Sequence, residues 1–387
     1  MIGAIGAFEA ELVAFRRDLH AHPEVAFEEH RTAGRIAAEL ERLGIEVHRG
    51  LARTGVVGTL RAGSGTRAIG LRADMDALPI AEQNGFEHRS RHAGRMHACG
   101  HDGHATMLLG AARYLAATRR FDGIVHFIFQ PAEENEGGGQ VMVREGLFDR
   151  FPVEAVYGMH NWPGLPAGQF GLRPGPMMAG FNLFEIVVTG RGSHAAMPHQ
   201  GTDPVVAGAA LVQALQTLTS RNLSPLDSGV VSVTQFHAGD TWNVIPSEVV
   251  IRGTTRAFTP AVQDLLEDGL RRVCSGIAAG HGCQVAVRYE RRYPALVNSE
   301  PQSRIAREVL ESLVGADNPR WGYEPTMGGE DFAFMLEARP GCYVFIGNGP
   351  GEGDCMLHNA HYDFNDDILA LGASYWVRLV EHCLGNA

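Results

Sequence analysis

Apolar positions along the first 180 residues fall into two alternating patterns. Spacings of three and four predict amphipathic helices over 9–19 and 32–43, the second closing at Gly44, and a further helix over 101–115. Short continuous apolar runs at 68–71, 124–129 and 153–157 predict buried strands. Helices alternating with such strands predict an α/β fold, a mostly parallel sheet with helices on both faces. Ligands of such sheets bind just beyond the carboxyl ends of the strands. Those ends carry Arg72-Ala-Asp74-Met-Asp76, Gln130-Pro-Ala-Glu133-Glu134 and Gly158-Met-His160-Asn161, so three strand ends each offer polar side chains to one region.

Beyond residue 180 the pattern changes. A partly alternating strand at 181–189 precedes an apolar-faced helix at 203–219. Two strands follow at 230–235 and 249–258, then a helix at 260–279 and a strand at 283–289. The order β-α-β-β-α-β is that of a ferredoxin-like α+β unit. Helix–strand alternation then returns, with elements at 305–313, 342–345 and 367–383. The expected organisation is a discontinuous α/β domain, 1–180 with 294–387, interrupted by an inserted domain at 181–293.

A chain of 387 residues suits two domains, and 45% apolar with 20% charged residues is ordinary for a globular protein. A net charge of −11 argues against a nucleic-acid partner, which needs a basic face. All basic side chains except histidine are arginine, which removes lysine Schiff-base and P-loop chemistry. The first fifteen residues contain Glu9 and Glu11 and no basic run, so no secretory signal is expected. No apolar stretch is long enough to span a bilayer, so no membrane partner is expected. Six scattered cysteines (Cys99, Cys274, Cys283, Cys342, Cys355, Cys383) fit reduced thiols and a soluble cytoplasmic protein better than a disulfide framework.

Five segments carry candidate chemistry. His97-Ala-Cys99-Gly-His101-Asp102-Gly-His104 packs thiol, imidazole and carboxylate at a helix start, where the thiolate form is favoured. A Cys-x-His pair suits zinc or another borderline divalent ion, although solvated histidines beside a buried cysteine would read the same. Glu133-Glu134 precedes a glycine run that lets backbone approach a ligand. Adjacent carboxylates are expected to point apart, one toward metal and one toward a reacting water, or simply to solvent. His160 at a strand end and His358 in Cys355-Met-Leu-His358-Asn-Ala-His361 are ambiguous singly. Asp74 and Asp76 either orient ligands or form a turn before Pro79.

Taken together, the ordered motifs resemble the di-metal aminoacylase and carboxypeptidase superfamily. They are most similar to its branch of hippurate hydrolases, N-acyl-amino-acid amidohydrolases and auxin-conjugate hydrolases. The motifs are Asp-Leu-His20-Ala-His-Pro-Glu24, Arg-Ala-Asp-Met-Asp-Ala-Leu-Pro79, Met96-His-Ala-Cys-Gly-His-Asp-Gly-His104, Phe-Gln130-Pro-Ala-Glu-Glu134, Gly-Met159-His-Asn-Trp-Pro163, Gly192-Ser-His-Ala-Ala-Met-Pro198, Asn243-Val-Ile-Pro246 and Gly328-Gly-Glu-Asp-Phe332.

The resemblance implies hydrolysis of the amide bond of a small-molecule N-acyl amino acid. The same machinery would serve a dipeptidase or carboxypeptidase, the alternative reading. Two divalent ions per subunit (zinc, manganese, cobalt or nickel) would be held by Cys99, His101, Glu134, His160 and His358, with Glu133 as catalytic base. The inserted domain is implied to be a lid and dimerisation element of a homodimer or homotetramer. From it, His194 would polarise the scissile carbonyl in a partner's site, Arg256 would grip the substrate carboxylate, and Asn243 would contact substrate. Most of the superfamily has His and Asp where this chain has Cys99 and His101.

Overall fold

The structure is a computed structural model of the chain and describes residues 1–350 and 355–385. It divides into two compact units. The first joins Met1–Met177, Val297–Glu324 and Asp331–Ala387; the second joins Met178–Leu296 and Pro325–Glu330.

Strands β1 to β16 follow one another along the chain: β1 (Glu46–Leu51), β2 (Gly55–Ala62), β3 (Ala68–Asp74), β4 (Gly123–Gln130), β5 (Ala155–Pro163), β6 (Phe170–Leu172), β7 (Gly175–Met178), β8 (Gly180–Thr189), β9 (Ser193–His194), β10 (Gly229–His237), β11 (Val244–Ile245), β12 (Glu248–Ala257), β13 (Gln284–Tyr293), β14 (Leu296–Asn298), β15 (Arg320–Trp321) and β16 (Gly341–Gly349). The first unit holds an eight-stranded sheet in the order β1-β2-β4-β3-β5-β16-β6-β15. Its centre, β4-β3-β5-β16, is parallel. β1, β2 and β4 are antiparallel neighbours, as are β16 and β6. The β1–β2 hairpin was not anticipated, because neither strand shows a long apolar run and β1 is mostly exposed.

Helices α1 (Gly3–Gly6), α2 (Glu9–Ala21), α3 (His30–Arg42), α4 (His101–Thr118), α5 (Gly138–Arg144), α6 (Leu147–Arg150), α7 (Pro204–Leu215), α8 (Pro260–Gly280), α9 (Glu300–Val314), α10 (Phe332–Ala338) and α11 (Leu369–Cys383) complete the framework. Alternation along β5 separates the two faces of the large sheet. Tyr157 and Met159 enter the core shared with α4 and α11. Gly158 points the other way, where an added Cβ would collide with the Tyr343 ring and reach 3.2 Å from Phe332 of α10. Helix α4 is buried without a break from His101 to Ala112, so its first turn, which carries the candidate ligands, is fixed by packing on every side.

The second unit holds an antiparallel sheet in the order β10-β12-β8-β13, the strand order of a ferredoxin-like unit. Phe184, Ile186 and Val188 of β8 pack with Leu211 and Leu215 of α7 and Leu266 and Leu270 of α8. Asp203 caps α7 through the Val205 and Val206 amides, and Thr259 caps α8 through the Val262 amide. The helix expected over 203–219 ends at Leu215, and a π turn follows at Leu218–Asn222. Among the described residues no helix is long and apolar enough to cross a membrane.

Candidate metal centre

The first unit brings six of the candidate side chains to one place. Gly100, at φ +92°, begins α4 in the left-handed region. A Cβ there would collide with the Asn161 amide and approach the Tyr362 hydroxyl at 2.6 Å, so only glycine lets the loop close. Asn161 Nδ2 donates to the Cys99 carbonyl at 2.7 Å and Tyr362 Oη donates to Asn161 Oδ1 at 2.7 Å, which fixes the residues flanking Gly100.

Cys99 Sγ lies 3.3 Å from His160 Nε2. The His160 Nδ1–H donates to the Asn161 carbonyl at 2.6 Å, which leaves the Nε2 lone pair directed at the sulfur. His101 Nδ1 pairs with Asp76 Oδ1 at 3.1 Å, while its buried Nε2 has no hydrogen-bond partner. His358 Nε2 sits 3.0 Å from Glu134 Oε1, and its backbone N–H donates to the Ala98 carbonyl at 2.7 Å. Three overlapping groups result: Cys99, His101 and His160; Cys99, Glu134 and His358; and His101, Glu133 and Glu134. Within each, the donor atoms lie within 4.8 Å of one another.

This donor set fits divalent cations. It mixes imidazole, thiol and carboxylate, the combination that suits zinc, manganese, cobalt or nickel. The orphaned His101 Nε2 is the buried polar atom that a cation would satisfy, in place of its proton.

The electrostatics correct one expectation. Burial, then the charges of Glu134, Glu133 and Asp74, push the Cys99 thiol well above its usual range, so the carboxylates outweigh the helix end and the thiol is protonated without a counter-charge. Burial and His104 hold His160 neutral. Burial opposes the charging of His101, but Asp74 and Asp76 prevail and raise it to about 10. Asp74 also takes a 2.6 Å hydrogen bond from His104 Nδ1, whose Nε2 accepts the Asn161 amide at 2.9 Å.

Two further corrections concern the Glu133 turn. The adjacent carboxylates do not diverge. Ala132 and Asn135 both have positive φ (54° and 67°), and oxygens of Glu133 and Glu134 lie within 4.8 Å of each other and of His101. The following glycines close the turn rather than admit a ligand. A Cβ on Gly138 would collide with the Pro131 carbonyl, and one on Gly139 would press on Gln130 and Asp331.

Supporting residues without an anticipated role surround the site. Arg72, fully buried, donates to Gln130 Oε1 at 2.8 Å, Asp74 Oδ2 at 2.7 Å and Asp331 Oδ1 at 3.1 Å. The Asp331 amide donates to Glu133 Oε1 at 3.3 Å. Asp331 lies in the Gly-Gly-Glu-Asp motif, which signalled importance without a role; the burial of Arg72 had no sequence signal.

The other three candidates belong to the second unit. His194 of β9 is exposed and pairs with Val244 of β11; its Nδ1 accepts the Ala196 amide at 3.1 Å. Asn243 precedes β11, and its carbonyl accepts the Ala195 amide at 3.0 Å, so His194 and Asn243 share one small ribbon. Arg256 of β12 is half-buried with its guanidinium 4.5 Å from the Phe181 ring centroid.

Comparison with known proteins places this geometry. The model of peptidase family M20/M25/M40 matches residues 70–382. The chain is 39% identical to a hippurate hydrolase of Campylobacter jejuni over 379 residues, 98% of each chain. It is 38% identical to an N-acetylcysteine deacetylase of Bacillus subtilis over 381 residues, 96% of this chain and 97% of the relative. The crystal structure of Bacillus subtilis YxeP, described as a dinuclear metal binding peptidase from the M20 family, superposes with a TM-score of 0.84 at 34% identity and covers 98% of this chain and 99% of its own. With a family match over most of the sequence and relatives aligned almost end to end, the chain belongs to peptidase family M20/M25/M40.

Proposed function

We propose that this protein is a metal-dependent amidohydrolase that cleaves N-acyl amino acids into a carboxylic acid and a free amino acid. The observation that carries the reading is the convergence of Cys99, His101, Glu134, His160 and His358 with a sixth residue, Glu133, braced beside them by the Asp331 amide. Relatives named for hydrolysis of hippurate and N-acetylcysteine, both N-acyl amino acids, supply the substrate class.

The five residues would hold two divalent ions, which when bound polarise the scissile carbonyl and acidify water beside it. Glu133 takes the proton of the attacking water and returns it to the nitrogen of the departing amino acid. Asp76 orients His101 and the Asn161 carbonyl orients His160, so each imidazole presents a fixed nitrogen, while Asp74 holds the neighbouring His104. From the second unit, acting as lid and dimer contact, we assign His194 to hydrogen-bond the tetrahedral oxyanion in the site of a partner copy. Arg256 is assigned to the substrate carboxylate, a task suited to its fork of donors, and Asn243 to the substrate amide. A homodimer or homotetramer is the state this reading requires, with the cytoplasm as its location.

The test is a panel of N-benzoyl, N-acetyl and longer N-acyl amino acids against unblocked dipeptides at equal concentration, with zinc, manganese, cobalt or nickel added in turn. Preference for blocked substrates is expected. Faster turnover of free dipeptides would move the assignment to a dipeptidase.

A further inference from the structure

We propose that Glu29 is a positioning residue for the base: its side chain holds the turn from which Glu133 projects. The inference rests on Glu133 being that base. Glu29 is fully buried and precedes α3, where its carbonyl accepts the Ala33 amide at 2.9 Å. Its Oε1 accepts the amides of Ala132 and Phe27, both at 2.9 Å, and its Oε2 accepts the Thr54 hydroxyl at 2.6 Å.

Ala132 is a non-glycine residue at φ +54°, a conformation that persists only where the surroundings over-determine it. Two contacts do so: its N–H is held by Glu29, and its carbonyl accepts the Gly138 amide at 2.8 Å. One residue past the base, the Glu134 amide donates to Asp76 Oδ2 at 2.9 Å. The residues on either side of Glu133 are therefore each gripped at the backbone N–H by a buried carboxyl group. Burial, reinforced by the charge of Asp76, pushes the Glu29 carboxyl up to about 7. A neutral acid accepts the same two amides through Oε1, so the turn requires the reach of the side chain rather than its charge.

Two substitutions separate reach from charge. Glu29→Asp keeps the charge and withdraws the oxygens by about 1.5 Å; Glu29→Gln keeps the reach and removes the charge. The enzyme is assayed with its metal on the N-acyl amino acid that the wild type cleaves best, and bound metal is measured by elemental analysis. Glu29→Asp is expected to lower kcat roughly 10- to 100-fold with KM and metal content unchanged, and Glu29→Gln to stay within about threefold of wild type. Wild-type kcat in Glu29→Asp, an equal loss in both variants, or a loss confined to KM or to metal content would overturn the proposal. If Glu29→Asp does not fold, Ala132→Gly loosens the same turn. It is expected to lower kcat roughly 3- to 10-fold, and full activity there would be equally damaging. Glu133→Gln keeps the two readings apart. Activity in that variant removes the base assignment, whereas an inert Glu133→Gln beside a fully active Glu29→Asp removes only the clamp.

Discussion

The candidate metal-binding cluster of the first unit and the His194–Asn243 ribbon of the second are built on opposite plans. Cys99, His101 and His160 are buried, and each imidazole has one nitrogen committed to a carboxylate or carbonyl. His194 is exposed, and the hydrogen bonds about it are backbone amides within one short ribbon. The contrast separates two demands. Donors to a cation must hold their geometry before it arrives, because misplacement is lost affinity. The role proposed for His194, meeting substrate in a partner copy, needs only a firm backbone, since a partner and a ligand would complete its surroundings.

The sharpest way to test that contrast is at its dense end. Glu133→Gln is expected to lower kcat roughly 10³-fold while metal content holds, measured by turnover beside elemental analysis; retained turnover would return the base role to another group. Cys99→Ser, whose hydroxyl is a poorer donor than a thiolate, is expected to lose metal on dialysis. Unchanged stoichiometry would strike Cys99 from the ligands. At the exposed end, His194→Ala is expected to lower kcat roughly 10²-fold and to leave metal content and thermal midpoint as they were. Coexpressed with Glu133→Gln, it should regain activity at about a quarter of the sites, because one site of each mixed dimer is intact. No recovery would end the claim that the residue acts across subunits.

The smallest effect lies beneath the cluster. His20 is buried between Asp102 at 2.8 Å and Glu82 at 3.2 Å; burial opposes its charging, but these partners raise it to about 9. A histidine with a raised folded-state value stabilises fully below its unfolded value near 6.5 and loses that contribution as pH climbs through 9. The contribution is on the order of 3 kcal/mol. Urea midpoints should therefore fall between pH 6.5 and 9.5 in the wild type and change less in His20→Gln. Equal slopes would show the pair to be unimportant to folding.

Much of the candidate cluster was readable in the sequence because its members stand close together in the chain: Cys99 with His101, Glu133 with Glu134. The central strands were readable because buried parallel strands are nearly continuous apolar runs, as at β4. What could not be read depends on distant partners. Glu29, in Ala-Phe-Glu-Glu29-His, looks like a solvated helix start; its meaning lies in Ala132, 103 residues away. Arg72 looks like a strand-end cation until Gln130 and Asp331 close around it. The upward push on the Cys99 thiol was missed because a helix end was weighed without the burial of the thiol and the three carboxylates that fold against it.

The placement of β16 between β5 and β6 has a consequence during synthesis. A ribosome that has finished β6 has made two sheet neighbours that cannot pair until residues 341–349 emerge, more than 160 residues later. His358 comes later still. On the ligand set proposed above, a nascent chain that has not yet reached residue 358 offers an ion four of its five donors, Cys99, His101, Glu134 and His160.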